Sequence, residues 1–158
     1  MTDSDFPAGP TGLIHHAYQP PEGFEAPQPG VFKASTVFFP TVADMRQREW
    51  KDKSAYTYGL HGTPTTFTLE ARLAEIVGGT HCLLAPSGLA AIAMIDLALL
   101  STGDEVLMPD NVYNPNRELG NWLSESFGIT ARYYEPMIGE GIAELIDTKM
   151  RLIWTESP

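Results

Sequence analysis

The sequence predicts an α/β fold, a mainly parallel sheet flanked by helices and preceded by an extended N-terminal arm. Three observations carry this expectation. From about residue 81 onward, short apolar runs alternate with helix-period segments, the spacing of strands joined by helical crossovers. Glycines follow two of those helical segments, at Gly103 and Gly128. The run Leu83-Leu84-Ala85 meets a tight turn, Pro86-Ser87-Gly88, which opens straight into the helix-like Leu89-Ala90-Ala91. With 158 residues, 43% hydrophobic and 19% charged, the chain suffices for one domain with a sizeable core.

The elements are expected in this order. Pro7, Pro10, Pro20, Pro21, Pro27, Pro29 and Pro40 punctuate the opening stretch. Proline lacks an N–H and disfavours helix at the residue before it. Residues 1 to about 33 therefore read as an extended arm, ordered by lying on another surface such as a sister subunit. Residues 34–39 read as a short strand, and 41–51 as a helix capped by Thr41. A loop rich in Tyr, Gly and Thr follows at 54–64. Residues 65–77 read as an amphipathic helix, with Phe67, Leu69, Leu73, Ile76 and Val77 inside and Glu70, Arg72 and Glu75 outside. Gly78-Gly79 stops it. Strands are then expected at 81–85, 105–108, 130–134 and 151–155, with helices at 88–100, 116–127 and 140–147. Helix 88–100 is apolar nearly all round, so deep burial is expected.

Composition excludes several function classes. The net charge of −10 and scattered basic residues argue against a nucleic-acid surface. The one basic cluster, at 46–53, is interleaved with Glu49 and Asp52. No apolar run approaches the roughly 20 residues of a membrane helix, and the acidic start Met1-Thr2-Asp3-Ser4-Asp5 carries no secretory segment. Cys82 stands alone, read as a small buried side chain within a strand, so no internal disulfide is expected. These features point to the cytoplasm. His15, His16, His61 and His81 lack ligand spacing, and no metal is assigned.

Three segments could carry chemistry. Ser87 and Gly88 fall beyond the carboxyl end of an expected strand, where open α/β sheets place ligands. The first turn of a helix leaves N–H groups unpaired at the positive end of its dipole, a seat for a phosphate. Gly88 lets a ligand approach the backbone closely. The same two residues serve equally as a cap and a turn with no ligand. Neither a nucleophile elbow nor a P-loop nor a dinucleotide fingerprint is present. Tyr113 lies in Pro109-Asp110-Asn111-Val112-Tyr113-Asn114-Pro115, a loop at the carboxyl end of the next expected strand. Its ring can lie on a flat aromatic ligand and its hydroxyl can assist proton transfer; packing the loop onto the sheet is the plain alternative. The loop from Tyr56 to Thr65 offers tyrosines, hydroxyls and His61 to an anion, or is simply a loop ending at the cap Thr63, with Pro64 first in the helix.

Taken in order, Tyr58…Gly62-Thr63-Pro64-Thr65, Pro86-Ser87-Gly88-Leu89-Ala90-Ala91, Gly103-Asp104-Glu105-Val106-Leu107, Asn111-Val112-Tyr113 and Glu156-Ser157-Pro158 resemble the Cys/Met-metabolism family of pyridoxal-phosphate enzymes. The likeness runs from about residue 54 to the last residue and is nearest in detail to the bacterial cystathionine β-lyases. It implies the aspartate-aminotransferase-like fold (fold type I), pyridoxal 5'-phosphate as cofactor, a small amino-acid substrate, and a homo-oligomer that is a dimer of dimers. It further implies that Ser87, Gly88 and Leu89 hold the cofactor phosphate, that Tyr113 stacks on the ring and helps in proton transfer, and that Tyr58 reaches the phosphate of a neighbouring subunit's cofactor. Glu156 and Ser157 would run beside the ring. Residues 1–57 would form an arm and intersubunit segment, and 58–158 the N-terminal part of the cofactor-binding large domain.

The activity implied is cleavage of cystathionine to homocysteine, pyruvate and ammonia. A γ-acting synthase or lyase is an alternative, as is a non-catalytic fragment that binds phosphate or joins subunits. Two departures stand out. Leu60 occupies the position of a family arginine, with His61 beside it as a substitute source of charge. The family's Schiff-base lysine and ring-nitrogen aspartate lie beyond the position of Pro158, and Lys33, Lys51, Lys53 and Lys149 are not in the matching context. The chain therefore reads as the N-terminal part of a longer enzyme.

Overall fold

The computed structural model describes residues 22, 23, 26, 28–49, 53 and 55–157. Most of the expected arm, His15 and His16, part of the interleaved basic stretch, and Pro158 lie outside the described residues. The chain divides into two compact units, Met1–Leu84 and Ala85–Pro158.

In the first unit the strand expected at 34–39 does not form. Among the described residues its one backbone bond to the following loop runs from the Gly59 N–H to the Ser35 carbonyl at 2.7 Å. One such bond is not a ladder. Helix α1 (Val42–Arg46) starts where expected, with Thr41 Oγ1 accepting from the Asp44 N–H at 3.1 Å. It is shorter than expected because it buries no side chain, and a short helix without a packed face does not repay its nucleation. Helix α2 (Pro64–Ile76) opens on a capping box in which Thr63 and Thr66 satisfy each other's backbone N–H groups. Thr65 Oγ1 accepts the Phe32 N–H and donates to the Gly30 carbonyl, both at 2.8 Å, which fastens the preceding segment to this helix. Gly78, at φ +67°, ends the helical path.

Two expectations in this unit need correction. Glu70, expected outside, is buried. Its carboxylate pairs with Lys53 and accepts the Leu84 N–H at 3.0 Å, so the charge is matched rather than solvated. Residues 81–85 form no strand. The Leu84 N–H that a ladder would use is taken by Glu70. Cys82 is half-buried and outside any strand.

The second unit follows the predicted alternation. It comprises α3 (Gly88–Leu99), β1 (Glu105–Pro109), α4 (Asn114–Phe127), β2 (Thr130–Tyr134), a 3₁₀ helix (Gly139–Leu145) and β3 (Met150–Ile153). The sheet is three-stranded and parallel, in the order β2-β1-β3. Central β1 pairs on both edges and is buried along Val106, Leu107 and Met108. Val106 and Met108 pack with Leu100, Val112, Leu123 and Ile129 into the core. Gly120 lets α4 approach the sheet: a Cβ there would stand 3.1 Å from both Ala131 and Met108. Gly128, left-handed at φ 66°, closes α4. Positive φ at Gly139, with Gly141 beyond it, accompanies a 3₁₀ helix where a helix over 140–147 was expected.

The largest departure is α3. Expected to be deeply buried, it leaves Leu89, Met94, Ile95, Leu97 and Leu99 exposed. The residue it buries completely is its charged one, Asp96. Among the described residues of this unit, α3 packs against α4 and β3, and those contacts reach only part of its circumference.

Candidate functional site

Three chain segments meet beyond the carboxyl ends of β1 and β3. They are the start of α3 at Ser87, the turn from Pro109 to Tyr113, and the stretch from Trp154 to Glu156. Together they line a cavity of ≈ 460 Å³, within the size range of small-molecule sites.

Each wall has a local cause. Ser87 Oγ accepts the Ala90 N–H at 3.1 Å and its carbonyl accepts the Ala91 N–H at 3.0 Å. The Gly88 and Leu89 amides have no helical acceptor and no hydrogen-bond partner among the described residues. A Cβ built on Gly88 meets nothing within 4 Å, so the space beside that turn is open. An anion there gains about 0.3–1 kcal/mol from the helix dipole.

Tyr113 stands half-exposed at the start of α4. Its backbone is held from two sides. The N–H donates to Glu156 Oε2 at 2.7 Å, and the carbonyl accepts the Asn116 N–H at 2.8 Å. Glu156 thus braces the tyrosine loop against the exit of β3. Trp154 continues the β3 pairing by donating its backbone N–H to the Leu107 carbonyl at 2.8 Å. Its indole N–H donates to Asp96 Oδ1 at 3.0 Å, which ties this wall to α3. Burial pushes the Asp96 carboxyl above the ordinary aspartate range, and the bond from Trp154 offsets part of that rise. Two buried oxygens lack partners among the described residues, Asp96 Oδ2 and Asn116 Oδ1.

Of the residues singled out in the sequence, Ser87, Gly88, Leu89, Tyr113 and Glu156 line this one cavity. Ser157 is exposed and does not line it. Tyr58 belongs to the first unit, where its hydroxyl accepts from Ser35 Oγ at 3.4 Å and its ring meets His61 edge-on at 5.4 Å. Leu60 beside it is exposed. Asp96, Asn116 and Trp154 were missed. A lone acid in the apolar run of α3 was a legible signal for Asp96. Nothing distinguishes Asn116 from the other polar residues around Pro115.

The arrangement fits pyridoxal phosphate. An open glycine turn presents unpaired amides to a phosphate, a tyrosine stands at the same cavity for a flat ring, and an unpartnered buried oxygen remains for a polar substituent.

Comparison with known proteins agrees. The sequence model of the family "Cys/Met metabolism PLP-dependent enzyme" matches residues 10–158. Cystathionine beta-lyase of Bordetella avium is 40% identical over 129 residues, covering 80% of this chain and 32% of that protein. Cystathionine beta-lyase of Haemophilus influenzae is 33% identical over 149 residues, covering 94% and 38%. L-methionine gamma-lyase of Pseudomonas putida is 30% identical over 152 residues, covering 96% and 38%. The chain spans 36% and 37% of the length of two further curated relatives, little more than a third. In structure, metB from Corynebacterium glutamicum matches with a TM-score of 0.79 at 22% identity, over 94% of this chain and 37% of that one. The fold is therefore the expected fold type I, in part.

Proposed function

The chain belongs to the Cys/Met metabolism PLP-dependent enzymes, and we propose that it forms the phosphate- and ring-binding part of a carbon–sulfur lyase that cleaves cystathionine. The observation that carries this reading is the shared cavity: the glycine turn at Ser87 and Gly88 and the ring of Tyr113 line the same ≈ 460 Å³. The Gly88 and Leu89 amides, with Ser87 capping the helix behind them, hold the phosphate. Tyr113 covers the ring, and its hydroxyl holds or passes the proton at the substrate Cα. Glu156 orients Tyr113 through the 2.7 Å bond to its backbone, while Ser157, outside the cavity, is given no contact with the ring. When bound, pyridoxal phosphate supplies the electron sink for carbon–sulfur cleavage.

The remaining assignments belong to the same reading. Residues 1–57 form an arm and intersubunit segment, and 58–158 part of the large domain of a longer chain whose later residues cover the apolar faces of α3. The assembly is a homo-oligomer, a dimer of dimers, in which Tyr58 reaches the phosphate of a neighbouring subunit's cofactor and His61 supplies charge that Leu60 lacks. The location is the cytoplasm; among the described residues no helix is long and apolar enough to cross a membrane.

β-cleavage is favoured because identity to the cystathionine beta-lyases reaches 40%, against 30% for the methionine gamma-lyase. Incubating the complete protein with cystathionine decides the matter. Pyruvate with homocysteine supports β-cleavage. 2-Oxobutyrate with cysteine replaces it by γ-cleavage, and no cleavage of cystathionine with retained cofactor binding refutes the substrate.

A further inference from the structure

Asn116 sits in the cavity wall with no task in the reading above. Its side chain is almost completely buried, at 2% exposure, and its Oδ1 has no partner among the described residues. It does not serve the helix start, since α4 has no side-chain cap bond. Its side chain makes no hydrogen bond among the described residues, yet it lines the same cavity as Gly88 and Tyr113. A buried amide oxygen that accepts no hydrogen bond incurs the loss of its hydration. An apolar residue of similar shape would avoid that loss and suit the helix better.

We propose that Asn116 is a ligand-contacting residue whose carboxamide hydrogen-bonds the polar edge of the ring that Tyr113 covers. The inference rests on the pyridoxal-phosphate reading. Three facts favour the ring over the phosphate. Asn116 lies within the first turn after Tyr113 and is fixed to it by the 2.8 Å backbone bond. An unpaired Oδ1 needs a donor, and a phosphate dianion is an acceptor, whereas a ring hydroxyl can donate. The phosphate already has the Gly88 and Leu89 amides.

The test uses the complete protein stripped of cofactor, as wild type and Asn116→Leu. Each is titrated with pyridoxal phosphate, pyridoxal and inorganic phosphate, and the ligand-free forms are melted. The expected result is a loss of about tenfold in affinity for both pyridoxal ligands, the size of one ordinary hydrogen bond. Inorganic phosphate binding stays the same, and the ligand-free variant melts no lower than wild type. Unchanged affinity for the pyridoxal ligands overturns the inference. So does an equal loss for inorganic phosphate, or a lowered melting point, which marks a structural role. Asn116→Ala answers the same questions if the leucine variant does not fold. A wild type that binds neither pyridoxal ligand overturns the proposed function itself, and this inference with it.

Discussion

Helices α2 and α3 begin alike in sequence and unlike in consequence. Both start from a hydroxyl cap next to a glycine, Gly62-Thr63 in one and Ser87-Gly88 in the other. At α2 the terminus is closed. Thr63 and Thr66 cap each other reciprocally, proline takes the first helical position, and a Cβ on Gly62 would lie 1.9 Å from the Phe67 ring. At α3 the cap is one-sided, the next two amides are unpaired, and a Cβ on Gly88 meets nothing within 4 Å. Every helix has the dipole. The difference is that the start of α3, the phosphate seat of the proposed function, leaves donors and space unused, whereas the start of α2 does not.

That contrast can be broken by substitution. Gly62→Ala should cost about 1–3 kcal/mol by overpacking against Phe67, read as a lowered denaturation midpoint. A neutral result would remove the claim that the α2 start is closed by packing. Asp96→Ala should cost about 1–3 kcal/mol, because the Trp154 indole N–H loses its acceptor inside the protein. Asp96 also gives α3 a pH signature. Its folded carboxyl titrates above the unfolded value, so the folded state binds the proton more tightly. That contribution is fully present below the unfolded value and is lost as pH rises through the folded one. Denaturation midpoints of wild type should therefore fall relative to Asp96→Asn across that interval, and parallel curves would contradict the assignment. The smallest effects are the caps. Thr63→Ala should cost about 1 kcal/mol and Ser87→Ala about 0.5 kcal/mol, and only the Ser87 change should also weaken pyridoxal phosphate. Equal effects on ligand binding would erase the distinction between the two termini.

Much of this was legible in the sequence, and the failures share a cause. The parallel strands at 105–109, 130–134 and 150–153 and the intervening helix α4 follow from periodicity and from Gly128, because here the apolar runs do find partner strands, β2 and β3 on either side of β1. Residues 34–39 and 81–85 carry the composition of strands and form none, since a strand exists only where another strand accepts its backbone bonds. Glu70 was placed outside by its charge, although Lys53 and the Leu84 N–H repay its burial. Helix α3 was placed inside by its apolar surface, and that surface is largely exposed in the described chain. At the cavity, Gly88 and Tyr113 were found because turn chemistry and strand ends are local signals. Asn116 was not, because being buried without a partner is a property of packing that no spacing in the sequence encodes.

The central claim is that the turn at Gly88 grips the phosphate of the cofactor. The most direct measurement is the ratio of affinities for pyridoxal phosphate and pyridoxal, in wild type and in Gly88→Ala of the complete protein. A methyl group there enters open space, so the variant should melt at least as high as wild type. It should nonetheless lose about tenfold or more of the preference for the phosphorylated ligand, because the methyl group fills the space through which the phosphate reaches the amides and so weakens at least one charge-assisted hydrogen bond. A variant that keeps the wild-type preference would place the phosphate elsewhere and contradict the account.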